Sequence, residues 1–400
     1  VSTVNSGQPK RLRDYTTARV GGPAAGWVVA HGEDDAVDEL RAHPLPSESA
    51  RSAGQDTLLV LGGGSNLLVS DEGFSGTVLQ LAFDGISAEP VNDDEVDLTV
   101  AAGHHWDAVV AWTVERGLVG LEALSGIPGA AGAVPVQNVG AYGAEVAQTI
   151  VEIRAWDREA QDLVVLSNQD LRFSYRDSLL KRTTVQGSPR YVVLSVRLRL
   201  THQQGKALSA PVRYAELARS LGLDAEADGA FRRAPLAEVR QKVLQLRAGK
   251  GMVLDPEDHD TWSTGSFFTN PILPESELPN LMAPSLSVAG LPEGAPRFPA
   301  GENDRGEALV KLSAAWLIDR AGCGKGFGLP EGPEAGRGAD GAGLAGGRAS
   351  LSTKHTLAVT NRGDASAEDL LTVARAARHR VRETFGVTLH PEPVLIGCRL

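Results

Sequence analysis

Three consecutive glycines in Leu61-Gly62-Gly63-Gly64-Ser65-Asn66-Leu67 stand between two apolar, strand-like runs, Leu58 to Leu61 and Leu67 to Val69. A dinucleotide loop of the Gly-x-Gly-x-x-Gly type needs a glycine where this chain has Leu67, and a helix after it. Here the strand pattern resumes instead, which disfavours a Rossmann-type helix start. Two readings remain: a tight turn between hairpin strands, or a nest of backbone N–H groups that holds a pyrophosphate without a helix.

A second loop follows about 60 residues later. Gly126-Ile127-Pro128-Gly129-Ala130-Ala131-Gly132 leads into Val136-Gln137-Asn138-Val139-Gly140-Ala141-Tyr142-Gly143, with five glycines between Gly126 and Gly143. So many small residues are hard to explain as core packing, because glycine contributes backbone freedom and close approach, not buried area. Two such loops suit a clamp on one long diphosphate ligand.

Length and charge limit what that ligand and its protein can be. The 400 residues allow two or three domains, and 42% apolar content is ordinary for a packed chain. With 39 basic against 50 acidic residues the net charge is -11, which disfavours a nucleic-acid footprint and requires a locally basic site for any anion. No apolar run reaches the roughly 18 residues of a membrane span, and Val1-Ser2-Thr3-Val4-Asn5 lacks the features of a secretory signal. Cys323 and Cys398 form no disulfide framework, and the expectation is a cytoplasmic protein without membrane insertion. Adjacent His104 and His105 have no companions at metal-ligand spacing, so no metal is expected; they read as a helix start.

The elements are mixed and do not repeat as βαβ units. Strands are expected at Gly26 to Ala30, 58–61, 67–69, Thr77 to Leu81, Val96 to Ala101 and through Val192, Leu194, Val196, Leu198 and Leu200. Helices are expected at Glu33 to Arg41, through Trp106, Val109, Val110, Thr113 and Val114, and through Leu236, Val239, Val243 and Leu246. Two more should run through Leu309, Leu312, Trp316 and Leu317 and from Ser366 to Gly386, with a strand at Val387 to Leu389. Between those last helices, residues 326–349 hold nine glycines and read for the most part as a mobile surface insert, so removing Pro330 to Gly346 should leave turnover almost unchanged.

Taken in order, seven blocks make the chain resemble the UDP-N-acetylenolpyruvoylglucosamine reductase family, in its branch with the longer substrate loop. They are Thr17-Ala18-Arg19-Val20-Gly21-Gly22-Pro23, the two glycine loops, Phe173-Ser174-Tyr175-Arg176-Asp177-Ser178, Gly265-Ser266-Phe267-Phe268-Thr269-Asn270-Pro271, Lys311 to Asp319, and His390-Pro391-Glu392-Pro393. The resemblance implies an α+β fold of three domains: two forming a vanillyl-alcohol-oxidase-type FAD-binding unit, and a third α+β domain binding the nucleotide sugar. The expected partition is 1–79 plus 388–400 for the first FAD-binding domain, 80–255 for the second, and 256–387 for the substrate domain. The implied activity is NADPH-dependent, FAD-mediated reduction of UDP-N-acetylglucosamine enolpyruvate to UDP-N-acetylmuramate, a step in peptidoglycan synthesis.

The resemblance also assigns residues. Ser266 matches the family's proton donor, although serine is a poor acid in water and donates only to a strongly basic, carbanion-like centre. Arg176 and Glu392 match the pair acting on the enolpyruvyl carboxylate; a guanidinium can pair with it bidentately, whereas a glutamate must be protonated or compensated by a cation. Gly62, Gly63, Gly64, Ser65, Asn66, Gly126, Ile127, Pro128, Gly132, Asn138, Gly140 and Ala141 are the expected FAD contacts. Tyr175, Tyr214, Lys250, Asn270 and Lys311 are the expected substrate contacts. Read without the family, Ser266 is equally a turn serine, Arg176 a surface ion-pair member, and Glu392 an exposed loop residue.

Overall fold

The computed structural model describes residues 9–203, 207–223, 232–280, 291–292, 294–336 and 341–400. These divide into two compact units, one of the described residues among 9–10, Ala24–Gly64 and Phe74–Val253, the other of those among Arg11–Pro23, Ser65–Gly73 and Leu254–Leu400. Residues within 9–79 contribute to both units, and 388–400 group with 254–387.

In the first unit, Phe74–Leu81 is the central strand of a parallel sheet, flanked by Ala24–Ala30 and Leu58–Leu61. Parallel sheets bury both faces, and adjacent Leu58 and Leu59, whose side chains point oppositely, are both buried. Helix Glu33–Ala42 contributes Ala36, Val37 and Leu40, at helical spacing, to the same core.

The unit's larger sheet is antiparallel, in the order Asp162–Ser167, Ile150–Asp157, Tyr191–His202, Glu95–Ala101, Ile86–Pro90. The alternating residues from Val192 to Leu200 are all buried, as a half-buried strand requires. Trp106, Val109, Val110 and Thr113 of helix Trp106–Glu115 are buried, and Gly117, at φ 68°, ends the helical turn in the left-handed region.

The second unit is organised on helix Ala367–Phe385. Its N-terminus has a reciprocal capping box between Ser366 and Asp369, and its C-cap is Gly386 at φ 70°. Leu370, Leu371, Val373, Ala374, Ala377 and Val381 join the unit's core. A three-stranded antiparallel sheet has the order Ile272–Pro274, Ala308–Leu312, Arg297–Glu302, and Leu67–Val69 pairs in parallel with Val394–Ile396.

Three expectations are corrected here. The helix through Leu309, Leu312, Trp316 and Leu317 is a strand, Ala308–Leu312, followed by helix Ala314–Arg320. Val310 and Leu312 are buried at period two, while the Ser313 side chain accepts from the Trp316 N–H and starts the helix afresh. Val387 to Leu389 form no ladder; Val387 and Leu389 are buried in the core, and the strand lies at Val394–Ile396. Leu58–Leu61 and Leu67–Val69 are not hairpin partners, because they belong to different sheets.

The expected mobile insert is, in its described parts 326–336 and 341–349, a packed loop; residues 337–340 lie outside the described residues. Phe327 is 1% exposed and Ala349 fully buried. The glycines let successive turns of backbone touch: a Cβ on Gly332 would sit 2.1 Å from the Gly326 carbonyl oxygen, and one on Gly336 would sit 2.7 Å from Phe327 Cδ2. Gly332→Ala is therefore expected to cost about 1–3 kcal/mol through overpacking. Urea unfolding checks this; an unchanged midpoint would restore the mobile reading.

Candidate active site

The two glycine loops meet. A Cβ on Gly63 would lie 2.5 Å from Gly129 Cα, so only glycine there permits the approach; one on Gly62 would lie 3.3 Å from Ala130 Cβ, a tight contact. The second loop is tied down by its own backbone: the Trp106 N–H donates to Gly129 O (2.9 Å), Ala131 N–H to His104 O (2.8 Å), and Gly132 N–H to Ala102 O (2.8 Å). Gly132 has no room for a side chain, since its Cβ would meet Ala102 Cβ at 2.6 Å. Ile127 packs partly against the core, and Pro128 between it and Gly129 is half-buried. His105 is the N-cap of helix Trp106–Glu115, as its neighbours' spacing suggested.

Asp107, in the first turn of that helix, was not expected at the site. Its Oδ1 accepts from the Gly126 N–H at 2.6 Å, and the carboxylate takes two bonds from Arg240, at 2.6 and 2.9 Å. Burial opposes ionisation, but the Arg240 bonds and the Gly126 amide outweigh it and hold the carboxyl below its usual range. Asp107 thereby links the loop to helix Leu236–Ala248, which carries Arg240 and Arg247 and precedes Lys250.

The segment after the second loop is positioned by Asn138, which is buried and left-handed at φ 46°. Its amide donates to Glu145 (2.8 Å) and the Ser174 carbonyl (3.1 Å) and accepts from the Ala147 N–H (3.1 Å), so the side chain shapes the loop. Ala141 pairs with Ala144 in the short turn that follows. Arg176, also left-handed at φ 53°, donates from Nη2 to the Gly140 carbonyl at 2.8 Å and from Nη1 to that of Asn138 at 3.4 Å. Tyr175 is half-buried beside it, with the guanidinium carbon 5.4 Å from the ring centroid.

Tyr214, 45% exposed, stands edge-on to Tyr142 with ring centroids 5.5 Å apart. Lys250 Nζ lies 5.8 Å from the Tyr142 ring and bonds Glu216 at 2.6 Å. Burial pushes the Tyr142 phenol up to about 12. Arg247 is the other residue the sequence did not single out. Its Nη2 donates to the Met252 carbonyl at 2.9 Å, while its Nε is buried without a hydrogen-bond partner among the described residues. That Nε lies 3.4 Å from where a Gly126 Cβ would be.

The second unit assembles its own group. Glu392 N–H donates to the Phe267 carbonyl (2.9 Å), Thr269 N–H to that of His390 (3.1 Å), and Phe268 bridges Pro391. Ser266 and Glu392 are thus held on adjoining, paired segments. Gly265, at φ 75°, has open space where a Cβ would be, and Ser266 is half-buried. Asn66 belongs to the same group: its Nδ2 donates to the Glu392 carbonyl (3.4 Å), and its carbonyl accepts from Val394 (2.9 Å). Ser65 precedes it, half-buried. Asn270 Oδ1 accepts from the Ala314 N–H (2.9 Å), and Lys311 is paired in register with Ile272, so Asn270 lies two residues before the strand that pairs with that of Lys311.

Neither thiol is poised for chemistry. Burial pushes Cys323 up to about 12 and Cys398 to about 11. Among the described residues no cluster of His, Cys, Asp and Glu suits a metal ion, and no helix is long and apolar enough to cross a membrane.

The geometry can be set beside known proteins. Residues 48–164 match the family model of an FAD binding domain, and residues 255–396 that of the C-terminal domain of UDP-N-acetylenolpyruvoylglucosamine reductase. Proteins named UDP-N-acetylenolpyruvoylglucosamine reductase are 50% identical in Saccharopolyspora erythraea, over 97% of this chain and 95% of theirs, and 48% identical in Streptomyces coelicolor, over 97% and 90%. A crystal structure of UDP-N-acetylenolpyruvylglucosamine reductase from Thermus caldophilus has a TM-score of 0.58 at 23% identity, covering 97% of this chain and 98% of that one, and thus shares the multi-domain α+β fold. The FAD-binding match covers both glycine loops, whose backbones approach at Gly63 and Gly129 where no Cβ would fit. On identity across nearly its whole length, the chain belongs to the UDP-N-acetylenolpyruvoylglucosamine reductase family of FAD-dependent oxidoreductases.

Proposed function

We propose that the chain reduces UDP-N-acetylglucosamine enolpyruvate to UDP-N-acetylmuramate with NADPH as reductant, in the cytoplasm, as a step of peptidoglycan synthesis on which cell-wall biogenesis, cell shape and division depend. Bound FAD supplies the hydride chemistry, accepting from the nicotinamide and donating to the enolpyruvyl double bond. The observation that carries this reading is the pairing of the Ser266 segment with the Glu392 segment, which holds a hydroxyl and a carboxyl on neighbouring backbone within the matched C-terminal domain.

In this reading Arg176, oriented by the Gly140 and Asn138 carbonyls, receives the substrate carboxylate, and Glu392 acts with it. Ser266 Oγ delivers the proton to the carbon beside the new C–H bond, where developing negative charge makes the centre more basic than an alkoxide. Gly62, Gly63, Gly64, Ser65 and Asn66 with Gly126, Ile127, Pro128, Gly132, Asn138, Gly140 and Ala141 line the FAD cradle. Tyr175, Tyr214, Lys250, Asn270 and Lys311 address the nucleotide sugar, Lys250 exchanging Glu216 for a phosphate oxygen. Residues 1–79 with 388–400, together with 80–255, serve the cofactor, and 256–387 the nucleotide sugar.

The purified protein should show a flavin absorption spectrum that bleaches on anaerobic addition of NADPH and returns on addition of the enolpyruvyl substrate. A spectrum untouched by that substrate would refute the reading. Neither loop, 62–66 or 126–143, contains a histidine or cysteine to form a covalent link, so acid denaturation should release the flavin into the supernatant. Colour retained in the precipitate would contradict a non-covalent cofactor.

A further inference from the structure

Backbone strain held at one residue is a clue to what that residue does. Ser174 and Asp177 exchange both backbone hydrogen bonds, at 3.0 and 3.2 Å, so Tyr175 and Arg176 are the two central residues of a tight turn. Arg176, the second of them, is left-handed at φ 53°, where such turns favour glycine or asparagine because a Cβ crowds the following carbonyl. Glycine would relieve the crowding but would leave the turn without a guanidinium.

The conformation is gripped at both ends of the residue. Its guanidinium donates to the Gly140 and Asn138 carbonyls, and its own carbonyl accepts from Lys181 Nζ at 2.9 Å. The ammonium makes this a charge-assisted bond, roughly twice as strong as a neutral one. Lys181 stands on a fixed support, helix Leu179–Arg182. Fully buried Ser178 accepts from the Lys181 N–H (3.2 Å) and donates to the Val136 carbonyl (2.6 Å), while Leu180 is buried in the core. Arg182, the next residue, bonds the Asp177 carboxylate, so this short helix holds the residues on both sides of one peptide bond, 176–177.

We infer that Lys181 is a positioning residue: by fixing the peptide between Arg176 and Asp177 it aims the Arg176 guanidinium at the enolpyruvyl carboxylate. The inference rests on the reading of Arg176 as the ligand of that carboxylate, and adds the group that sets its direction. Bidentate pairing needs the planar fork placed to within about 0.5 Å and 10–20°, a tolerance that rotation of one turn peptide exceeds. Lys181 therefore serves the substrate half of the cycle alone, because hydride transfer from the nicotinamide to the flavin uses no substrate carboxylate.

The test follows both half-reactions by anaerobic stopped-flow absorbance in FAD-loaded wild type, Lys181→Met, Lys181→Arg, Arg176→Lys and the double variant Lys181→Met/Arg176→Lys. In Lys181→Met, flavin reduction by NADPH should stay within about twofold of wild type, while reoxidation by the enolpyruvyl substrate slows at least about tenfold. Lys181→Arg, which can still donate to the carbonyl, should return reoxidation to within about threefold of wild type. A residue acting through another couples to it, so adding Lys181→Met to Arg176→Lys should cost less than about threefold more. If Lys181→Met fails to fold, Lys181→Gln is read by the same measurements, the expected loss in reoxidation then being at least about threefold. Reoxidation within twofold of wild type, or both half-reactions slowed equally, would overturn the inference. So would a full tenfold loss in the double variant, which would mean that Lys181 meets the substrate itself. Wild-type flavin that NADPH bleaches but the substrate does not restore would overturn the substrate reading, and this inference with it; normal wild-type turnover with Lys181→Met unaffected sinks this inference alone.

Discussion

In the Ser266→Ala enzyme, flavin reduction by NADPH is expected to run at near wild-type rate, while reoxidation by UDP-N-acetylglucosamine enolpyruvate slows by about 10²- to 10⁴-fold, roughly 3 to 5 kcal/mol of barrier. The asymmetry follows from where a protein proton is needed. Hydride transfer from the nicotinamide requires none on the enolpyruvyl carbon, whereas saturating that double bond does. Open space beside Gly265 leaves the backbone before Ser266 approachable, and the paired backbones of Phe267 and Glu392 bring a carboxyl group to the adjoining segment. Glu392→Gln therefore belongs in the same anaerobic stopped-flow experiment. If Ser266→Ala slowed both half-reactions equally, its hydroxyl would be placing the cofactor or packing the segment. If Glu392→Gln alone abolished the second half-reaction, the carboxyl would be the acid.

What the sequence made legible is what short-range physics controls. Leu58–Leu61 and Leu67–Val69 are read to the residue because glycine and polar punctuation bound two apolar runs. Helix Ala367–Phe385 is read from its capping serine to its left-handed glycine for the same reason. Periodicity failed where two periods coincide: Leu309 and Leu312 are three apart, as on a helix, but Val310 and Leu312 are two apart and face the core of a strand. Glycine content failed in residues 326–349 because composition cannot distinguish a chain that lacks side chains to pack from one that omits them so its backbone can pack around Phe327. The motif residues stood out in the sequence, but the contacts that hold them did not. Asp107 and Arg240 are 133 positions apart, and nothing local marks a carboxylate that will hold a loop amide. Arg247 left one trace, its place three residues before Lys250 at the end of an apolar helical stripe.

Replacing Asp56 with alanine is expected to destabilise the first unit by about 3–5 kcal/mol, because it strands a buried guanidinium. The Arg158 side chain is fully buried and Asp56 is 9% exposed. Arg158 donates to both carboxylate oxygens, at 2.8 and 3.1 Å, and to the carbonyls of His43, Pro44 and Pro189, while Ser188 donates to the same carboxylate. One side chain thus ties three segments far apart in sequence, and loss of its counter-ion leaves a buried charge whose remaining partners among the described residues are neutral. Burial works against the ionised carboxylate, but the Arg158 and Ser188 bonds prevail and hold it below its ordinary value of 3.8. The sign follows: a depressed carboxyl gives stability that is whole above 3.8 and is lost as pH falls through that value toward the folded one. The gap between wild type and Asp56→Ala in urea midpoint should accordingly be full at neutral pH and narrow on the acid side of 3.8, with little change in the slope of unfolding. A gap of the same size at pH 7 and at pH 3 would mean that Asp56 contributes through packing, and that its ion pair with Arg158 adds nothing to the fold.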